Sequence, residues 1–318
     1  MTNGNSFLLI LILITVFLNG ATDAVNSIAS CVGTKCMKMS SATVMSAVFN
    51  CLGVIIMGHF FTSVADTFGT LVSFSDDSTA KTALSASVIC VILWACITWV
   101  FGIPTSESHA LTASLVGASL AVNTGAVADT SGLLKVLYGL IISTLAGGSL
   151  GFLISRFVHR YLAGTSERFF KKAQIFGACC SSFMHGGQDG LKFAGLLMIL
   201  SDGVPHTAGV FLIGSIMFLG TWVGGKKIVR SVGEQMVTLD KKDGFSADIA
   251  SAVCLFIGSV SGGIPMSTTH TKTSALLGAG KACGGTVDRK TVSEMILAWV
   301  CTFPACGVLA YFVTKIMI

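Results

Sequence analysis

The sequence predicts an all-α polytopic membrane protein made of two inverted-topology repeats, with broken helices or re-entrant hairpins. Three observations predict it: the composition, a series of apolar segments, and motifs that recur once in each half. Of the 318 residues, 53% are hydrophobic and 11% are charged, and the mean hydropathy is +0.81. A soluble globular domain has about 25% charged residues. The composition also excludes a disordered chain and, without a dense basic run, a nucleic-acid-binding protein.

The apolar segments are long enough to be membrane helices, because about 20 residues cross the hydrocarbon core. Ten candidates are 7–32, 41–61, 83–103, 104–122, 133–155, 173–201, 204–224, 247–263, 264–281 and 292–316. The shorter ones are either crossings or re-entrant hairpins. The first segment is interpreted as a retained helix and not a signal peptide, since no Lys or Arg precedes it.

Charged residues between the segments predict the orientation. Basic residues cluster at 35–38, 156–172 and 226–242, whereas the 62–80 loop has three aspartates and neither Lys nor Arg. Under the positive-inside rule these marks predict a multi-pass protein of the cell membrane with an outside N-terminus and five segments in each half. The predicted domains are a first inverted repeat (1–157), a basic cytoplasmic linker (158–172) and a second inverted repeat (173–318) with a cytoplasmic loop at 225–246.

Two motifs recur in the same order. The first motif is Ile103-Pro-Thr-Ser-Glu-Ser-His109, and it recurs 161 residues later as Ile264-Pro-Met-Ser-Thr-Thr-His270. When the nine residues that follow each copy are included, half of the sixteen aligned positions are identical. Asn19–Asn26 pairs more weakly with His185–Lys192 at an offset of 166. A repeat combined with an odd number of segments in each half indicates inverted topology, which many secondary transporters use for alternating access.

The first motif pair indicates a cation site. Asp23 and Asp189 lie at membrane depth, where a carboxylate costs several kcal/mol unless it is paired or coordinated. On a helix, Asn19, Asp23, Asn26 and Ser27 would share one face. Such oxygen ligands suit sodium, expected at Asp23 and Asn26, although the carboxylate could instead carry a proton. Gly20 should ease local unwinding of this helix.

The second motif pair indicates an anion site. Proline and hydroxyl residues are preferred where helices begin, and a helix N-terminus offers free N–H groups and a positive dipole end. Two such ends converging from inverted halves could hold one small tetrahedral oxyanion. The candidate residues are Thr105, Ser106, Ser108, Ser267, Thr268 and Thr269. The alternative is that these hydroxyls only cap buried helices.

The halves also differ in charge. Lys192 stands where the first half has Asn26, and it either pairs with Asp189, three residues earlier, or contacts the anion directly. Glu107 stands where the second half has Thr268; it should repel an anion, unless it accepts the anion's proton or points toward a cation. Three histidines, His109, His185 and His270, are either proton carriers or hydrogen-bonded packing residues.

These four motif copies resemble the inorganic phosphate transporter (PiT) family, whose signature Gly-Ala-Asn-Asp-Val-Ala-Asn occurs once in each half. The copies here are Gly20-Ala-Thr-Asp-Ala-Val-Asn-Ser27 and His185-Gly-Gly-Gln-Asp-Gly-Leu-Lys192. The resemblance implies a cation-coupled phosphate symporter with re-entrant hairpins, working as a homodimer. Thr22, Gln188 and Lys192 depart from the signature, so the family's cation stoichiometry is not carried over.

The resemblance implies roles for individual residues. Asp23, Asn26 and Asp189 match cation-binding positions, and Asn19, Ser27 and Glu107 are grouped with them as candidates. Five hydroxyl residues (Thr105, Ser106, Ser267, Thr268 and Thr269) match positions that line the anion site, to which Ser108, Gln188 and Lys192 are added.

The expected function is import of inorganic phosphate by sodium or proton symport through alternating access. A sulfate permease of the same family and, less favoured, an anion channel are the alternatives. An enzyme is not expected, because no nucleophile–base pair or metal-ligand cluster is evident. The expected partners are phosphate, the coupling cation, the lipid bilayer and a second copy, with no nucleic acid and no cofactor other than the coupling ion.

Overall fold

The computed structural model is almost entirely helical. It describes residues 3–74, 76–122, 127–128, 130–199 and 206–318. The helices of the first half are α1 (Asn3–Thr22), α2 (Ala29–Gly33), α3 (Met39–Phe60), α4 (Ser63–Gly69), α5 (Asp77–Phe101), α6 (Glu107–Val122) and α7 (Thr130–Tyr161). Those of the second half are α8 (Glu167–Ile199), α9 (His206–Val223), α10 (Lys226–Arg230), α11 (Lys241–Val260), α12 (Thr268–Ala282) and α13 (Arg289–Met317).

Three short elements complete the described chain. A 3-10 turn, Ala24–Ile28, joins α1 to α2, and a π-helical turn, Ser231–Gln235, follows α10. Strands β1 (Val72–Ser73) and β2 (Val127–Ala128) pair antiparallel. The connection between α7 and α8, residues 162–166, lies inside the predicted linker 158–172. The predicted loop 225–246 contains α10, the π-helical turn and the first residues of α11.

The ten longest helices correspond to the ten predicted segments. Seven stretches of the described chain are long and apolar enough to cross a membrane: Asn5–Gly33, Met39–Phe60, Asp77–Phe101, Ser131–Tyr161, His206–Val223, Lys241–Val260 and Arg289–Met317. Helix α8 has 33 residues but carries several charges. Helices α6 and α12 have 16 and 15 residues, so each is only about 24 Å long against a hydrocarbon core of about 30 Å. Parts of predicted segments 173–201 and 204–224 fall on residues 200–205, outside the described chain.

Local sequence explains where these helices begin and end. Asp76 caps α5 by accepting a hydrogen bond from the Thr79 backbone N–H. Gly102, at φ 70°, ends α5 in the left-handed conformation that favours glycine. Ser267 caps α12 by accepting from the His270 backbone N–H. The extended segments that precede α6 and α12, each containing a proline, therefore end at helix N-termini, as predicted.

The two halves pack reciprocally. Helix α6 of the first half packs on α13 of the second, and α12 of the second packs on α7 of the first. Helix α1 likewise packs on α9, and α8 on α3. The short helices start next to each other, since Ser106 Oγ lies 2.9 Å from Ser267 Oγ. From there α6 runs toward the β1–β2 pair beside the acidic loop, whereas α12 ends beside Ser155 near the basic loop. This opposite direction is the inverted repeat that the sequence predicts.

Apolar side chains cover much of the outer surface of the protein as well as filling its core. Large apolar residues face outward, among them Leu145 (65% exposed) on α7 and Leu297 (63%) on α13. Some carboxylates lie inside, among them Asp23 and Asp189, each 2% exposed. Because lipid, not water, is the solvent for such a surface, the chain is a multi-pass integral membrane protein.

Candidate functional site

The chain breaks its helical path beside Asp23. Helix α1 ends at Thr22, and the 3-10 turn begins at Ala24. Gly20 does not lie in this break: a Cβ there would come within 2.6 Å of the Met217 carbonyl oxygen. Glycine is therefore required so that α1 can approach α9 closely, which differs from the unwinding role that the sequence suggested.

Asp23 is held by neutral donors. Its Oδ1 accepts hydrogen bonds from Asn26 Nδ2 at 3.0 Å and from the Thr269 hydroxyl. Its Oδ2 accepts from Thr268 Oγ1 at 3.3 Å. The nearest basic group found among the described side chains is His185 Nε2, 3.9 Å from Oδ1. Within the described chain, no lysine or arginine forms an ion pair with the Asp23 carboxylate.

Asp189 has its own counterion. Lys192 Nζ lies 2.7 Å from Asp189 Oδ1, and Asn19 Nδ2 donates to Oδ2 at 3.0 Å. Lys192 also donates to Ser108 Oγ at 2.6 Å and to the Met266 carbonyl at 2.7 Å. An ammonium group has three hydrogens, so all of them are used inside the protein. The sequence allows two roles for Lys192, an ion pair with Asp189 and a direct contact to the anion, and the structure has the ion pair.

Thr268 lies between the two carboxylates. Its hydroxyl is 3.3 Å from Asp23 Oδ2 and 3.3 Å from Asp189 Oδ2. A hydroxyl has one hydrogen, so it can donate to only one of them at a time. The aspartates and His185 offer atoms within 4.8 Å of one another. At an effective dielectric constant near 20, two like charges about 4–5 Å apart repel by about 3–4 kcal/mol.

Several acceptors around this point have no hydrogen-bond partner. Among the described side chains, the buried and unpartnered atoms include Asn19 Oδ1, Asn26 Oδ1, Glu107 Oε2 and His185 Nε2. The His185 Nδ1 atom donates to Asn50 Oδ1 at 2.9 Å, and Nε2 lies 3.4 Å from Asp189 Oδ2 and 3.9 Å from Asp23 Oδ1. Buried acceptors are normally satisfied. A group of unpartnered oxygen atoms beside two buried carboxylates is suited to a cation or a proton.

The predicted anion-site hydroxyls lie at the two meeting helix ends. Ser106 and Ser267 contact each other, and the Ser267 backbone N–H donates to Ser143 Oγ at 2.9 Å. Thr269 Oγ1 lies 3.1 Å from the carbonyl oxygen of Thr105, which links the two halves. The first N–H groups of α6 and α12 therefore face a shared region of the interior, where their dipole ends favour negative charge.

Glu107 is on the cation side of this region. Its Oε1 accepts a hydrogen bond from Thr22 Oγ1 at 2.8 Å. A small cavity separates Glu107 from the second-half ion pair, and it is also lined by Asn19, Ser108 and Lys192. The structure therefore brings Glu107 close to both motif pairs.

Four predicted residues direct their side chains elsewhere. Ser27 Oγ contacts Ser182 at 2.8 Å and Ser46 at 3.0 Å, because the 3-10 turn rotates it off the face predicted for a continuous helix. Asn19, which lies on α1 before that turn, donates from Nδ2 to Asp189 Oδ2 and not to Asp23. Gln188 donates to Ser259 Oγ at 2.9 Å and accepts from the Met266 N–H. The Thr105 hydroxyl donates to Thr98.

The site also contains residues that the sequence did not assign to it. His185 faces both aspartates, Asn50 orients its ring, and Thr22 holds Glu107. The signal in the sequence that could have placed His185 in the site is its position as the first residue of the second motif copy. His109 and His270, at matching positions of the repeat, pack edge to face with ring centroids 4.5 Å apart. Their packing follows the same offset of 161 as the motifs.

Comparisons with known proteins agree with this repeat. The model of the phosphate transporter family matches residues 19–166 and again 162–310. A "probable low-affinity inorganic phosphate transporter" of Bacillus subtilis is 32% identical over 320 residues, covering 95% of this chain and 94% of that protein. A protein of Rhizobium meliloti with the same description is 33% identical over 307 residues, with 92% and 90% covered.

A solved structure shares the fold. It is described as "the sodium-dependent phosphate transporter", and it superposes with a TM-score of 0.85 at 22% identity, covering 99% of both chains. The two family matches together span most of the chain, and the Bacillus subtilis relative aligns along nearly all of it. The chain therefore belongs to the phosphate transporter family.

Proposed function

We propose that this chain imports inorganic phosphate by symport with a cation, sodium or proton, through alternating access of its two halves. The halves are 1–157 and 173–318, joined by the linker 158–172. Family membership supports phosphate as substrate, and the relatives are transporters, so we propose no enzymatic activity. Sodium dependence is the described property of the solved relative.

The observation that carries the cation step is that neutral donors hold the buried Asp23 carboxylate, with no ion pair to a lysine or arginine among the described residues. The central carboxyl groups are Asp23, Asp189 and Glu107, and the ammonium of Lys192 is the one lysine contact on them among the described residues. An incoming anion would meet net negative charge in a medium of low dielectric constant. A cation bound to Asp23, with Asn26 and other unpartnered acceptors as ligands, removes that repulsion. Cation binding therefore precedes phosphate binding in the proposed cycle.

Phosphate then docks on the N-termini of α6 and α12. Backbone N–H groups and the hydroxyls of Ser106, Ser267 and Thr268 would donate to its oxygens, replacing the contact between the two serines. Because one helix end comes from each half, a bound phosphate joins the halves. Rocking of the loaded halves then exposes the site to the other side of the membrane.

Glu107 bears on the choice between phosphate and sulfate. Near pH 7 phosphate retains a proton that a carboxylate can accept, whereas sulfate has none. The buried, unpartnered Glu107 Oε2 would accept that proton's hydrogen bond in its ionised form and would donate to either anion in its protonated form. The preference for phosphate over sulfate therefore rests on the family match and on the descriptions of the relatives.

The test is uptake of labelled phosphate into proteoliposomes with an inward sodium gradient, an inward proton gradient or neither. We expect accumulation above equilibrium with one of the two gradients, and little effect of excess sulfate. Asp23→Asn should abolish coupled uptake, and Asp66→Asn, an exposed carboxylate, is the matched control. Strong sulfate competition with weak phosphate uptake would move the assignment to a sulfate permease. Equilibration without accumulation would indicate a channel.

We also propose that two copies form a homodimer in the membrane. The outward faces of α7 and α13 are rich in exposed apolar residues, including Tyr138, Leu145, Val300 and Phe312. Apolar faces pack either on lipid or on a second copy. Mass measurement of the protein extracted with native lipid should give twice the chain mass, and a single-chain mass would contradict the dimer.

A further inference from the structure

A second group of titratable side chains lies away from the phosphate site. His159 near the end of α7, Asp243 in the first turn of α11 and Cys283 just after α12 offer ligand atoms that all lie within 4.8 Å of one another. His159 Nε2 is 3.1 Å from Asp243 Oδ1. Three helices from both halves thus bring an imidazole, a carboxylate and a thiol to one point.

Neighbouring residues orient this group. Ser155 Oγ donates to Asp243 Oδ1 at 2.7 Å, and it lies 3.7 Å from Cys283 Sγ. Asp240 Oδ1 is 3.7 Å from His159 Nε2. A fourth ligand atom, the Asp240 Oδ1 oxygen, is therefore within reach of the same point. Hydrogen bonds that fix ligand carboxylates are typical of metal sites.

Helix capping does not account for the arrangement. Asp240 and Asp243 form a capping box at the start of α11, in which each side chain accepts from the other's backbone N–H. That box uses Asp243 Oδ2, whereas His159 and Ser155 both face Oδ1. His159 and Cys283 contribute nothing to the cap.

We propose that His159, Asp243 and Cys283 form a binding site for a divalent transition metal ion of the zinc type. One nitrogen, one oxygen and one sulfur ligand match the preferences of Zn²⁺, with Asp240 or a water as the fourth ligand of a tetrahedron. The thiol binds as a thiolate, so its proton is released to water when the ion binds. Cys283 is exposed, which gives the ion access from the side of the basic loops.

The bound ion would tie the end of α12 to α7 and α11. The hydroxyls proposed for phosphate lie at the opposite end of α12, about 22 Å away for a helix of this length. The site is therefore separate from phosphate binding, and the inference does not depend on the proposed transport function.

The test is a Zn²⁺ titration of the purified full chain in detergent against a chromophoric zinc indicator. Relative to the wild type, the variant combining His159→Ala with Cys283→Ser should lose one equivalent of bound zinc. A variant combining His59→Ala with Cys301→Ser, at an exposed histidine and an exposed cysteine, should lose none. Equal zinc binding by the wild type and the first variant would overturn the proposal.

Alkylation of Cys283, followed by peptide mass spectrometry, is a second measurement that needs no change at the cysteine. With free Zn²⁺ at ten times its Kd, alkylation of the wild type should slow about tenfold by mass action. His159→Ala should weaken this protection. The site would be contradicted if zinc did not change the alkylation rate of Cys283, or if zinc protected Cys283 equally in the wild type and in His159→Ala.

Discussion

The two halves carry the same aspartate at matching positions of the repeat, but the charge of each is balanced differently. In the second half Asp189 pairs with Lys192 at 2.7 Å. In the first half the matching position is Asn26, which gives Asp23 a neutral hydrogen bond at 3.0 Å. One half therefore contains a fixed counterion, and the other leaves a carboxylate dependent on neutral donors.

This difference indicates which of the two aspartates is free to bind a mobile cation. A second cation at Asp189 would have to compete with an ammonium that already uses all three hydrogens on Asp189, Ser108 and Met266. Asp23 has no such competitor among the described residues, and two unpartnered amide oxygens are nearby. Replacing residues on either side of the comparison should therefore have different consequences for folding and for ion binding.

The largest effect is expected at Lys192. Lys192→Met removes the counterion of a buried carboxylate, and breaking a buried ion pair from one side typically costs about 3–5 kcal/mol. We expect a much lower unfolding temperature in detergent and a poor yield of monodisperse protein. Combining Lys192→Met with Asp189→Asn should restore most of the stability. If Lys192→Met alone were as stable as the wild type, Asp189 would not be charged in the folded protein.

The next effect concerns ligand-induced stabilisation at Asp23. A cation at 100 times its Kd should stabilise the wild type by about 2.7 kcal/mol, seen as a higher unfolding temperature when the coupling ion replaces choline. Asp23→Asn should fold normally yet lose this response. Asp66→Asn should keep it. An equal response in Asp23→Asn would place the cation elsewhere and remove the distinction between the halves.

The smallest effect is expected at Thr268, which stands where the first half has Glu107. Thr268→Val keeps the shape and removes the hydrogen shared by the two aspartates. The loss of one hydrogen bond is worth about 1 kcal/mol, so we expect about a fivefold higher KM for phosphate in liposome uptake. Thr268→Ser should restore the wild-type KM. An unchanged KM in Thr268→Val would show that this hydroxyl does not bear on the phosphate site.

Much of the fold follows from local sequence. Apolar length predicts the ten long helices, and the repeated proline-hydroxyl segments predict the starts of α6 and α12. The offset of 161 pairs Ser106 with Ser267 and His109 with His270, and both pairs are in contact. These features depend on hydrophobicity and helix capping, which are properties of neighbouring residues.

The detailed partners in the site depend on long-range packing. Asn19 binds Asp189, 170 residues away, and Thr22 binds Glu107, 85 residues away. A single 3-10 turn after Asp23 was enough to move Ser27 off the predicted face. Gln188, expected near the anion, braces α8 against α11 through Ser259. Neither periodicity nor motif spacing contains these pairings, because they follow from how the two halves dock.

Lys192 also bears on energy conversion. Only ions that travel with the substrate draw on a transmembrane gradient, and an ammonium attached to α8 never leaves the protein. In the proposed cycle a single mobile cation would limit phosphate enrichment to the first power of the cation concentration ratio, apart from the membrane potential. Two mobile cations would allow the square of that ratio. In the proposed cycle, a lysine in place of the second signature asparagine would lower the attainable phosphate enrichment and the number of cations consumed per phosphate.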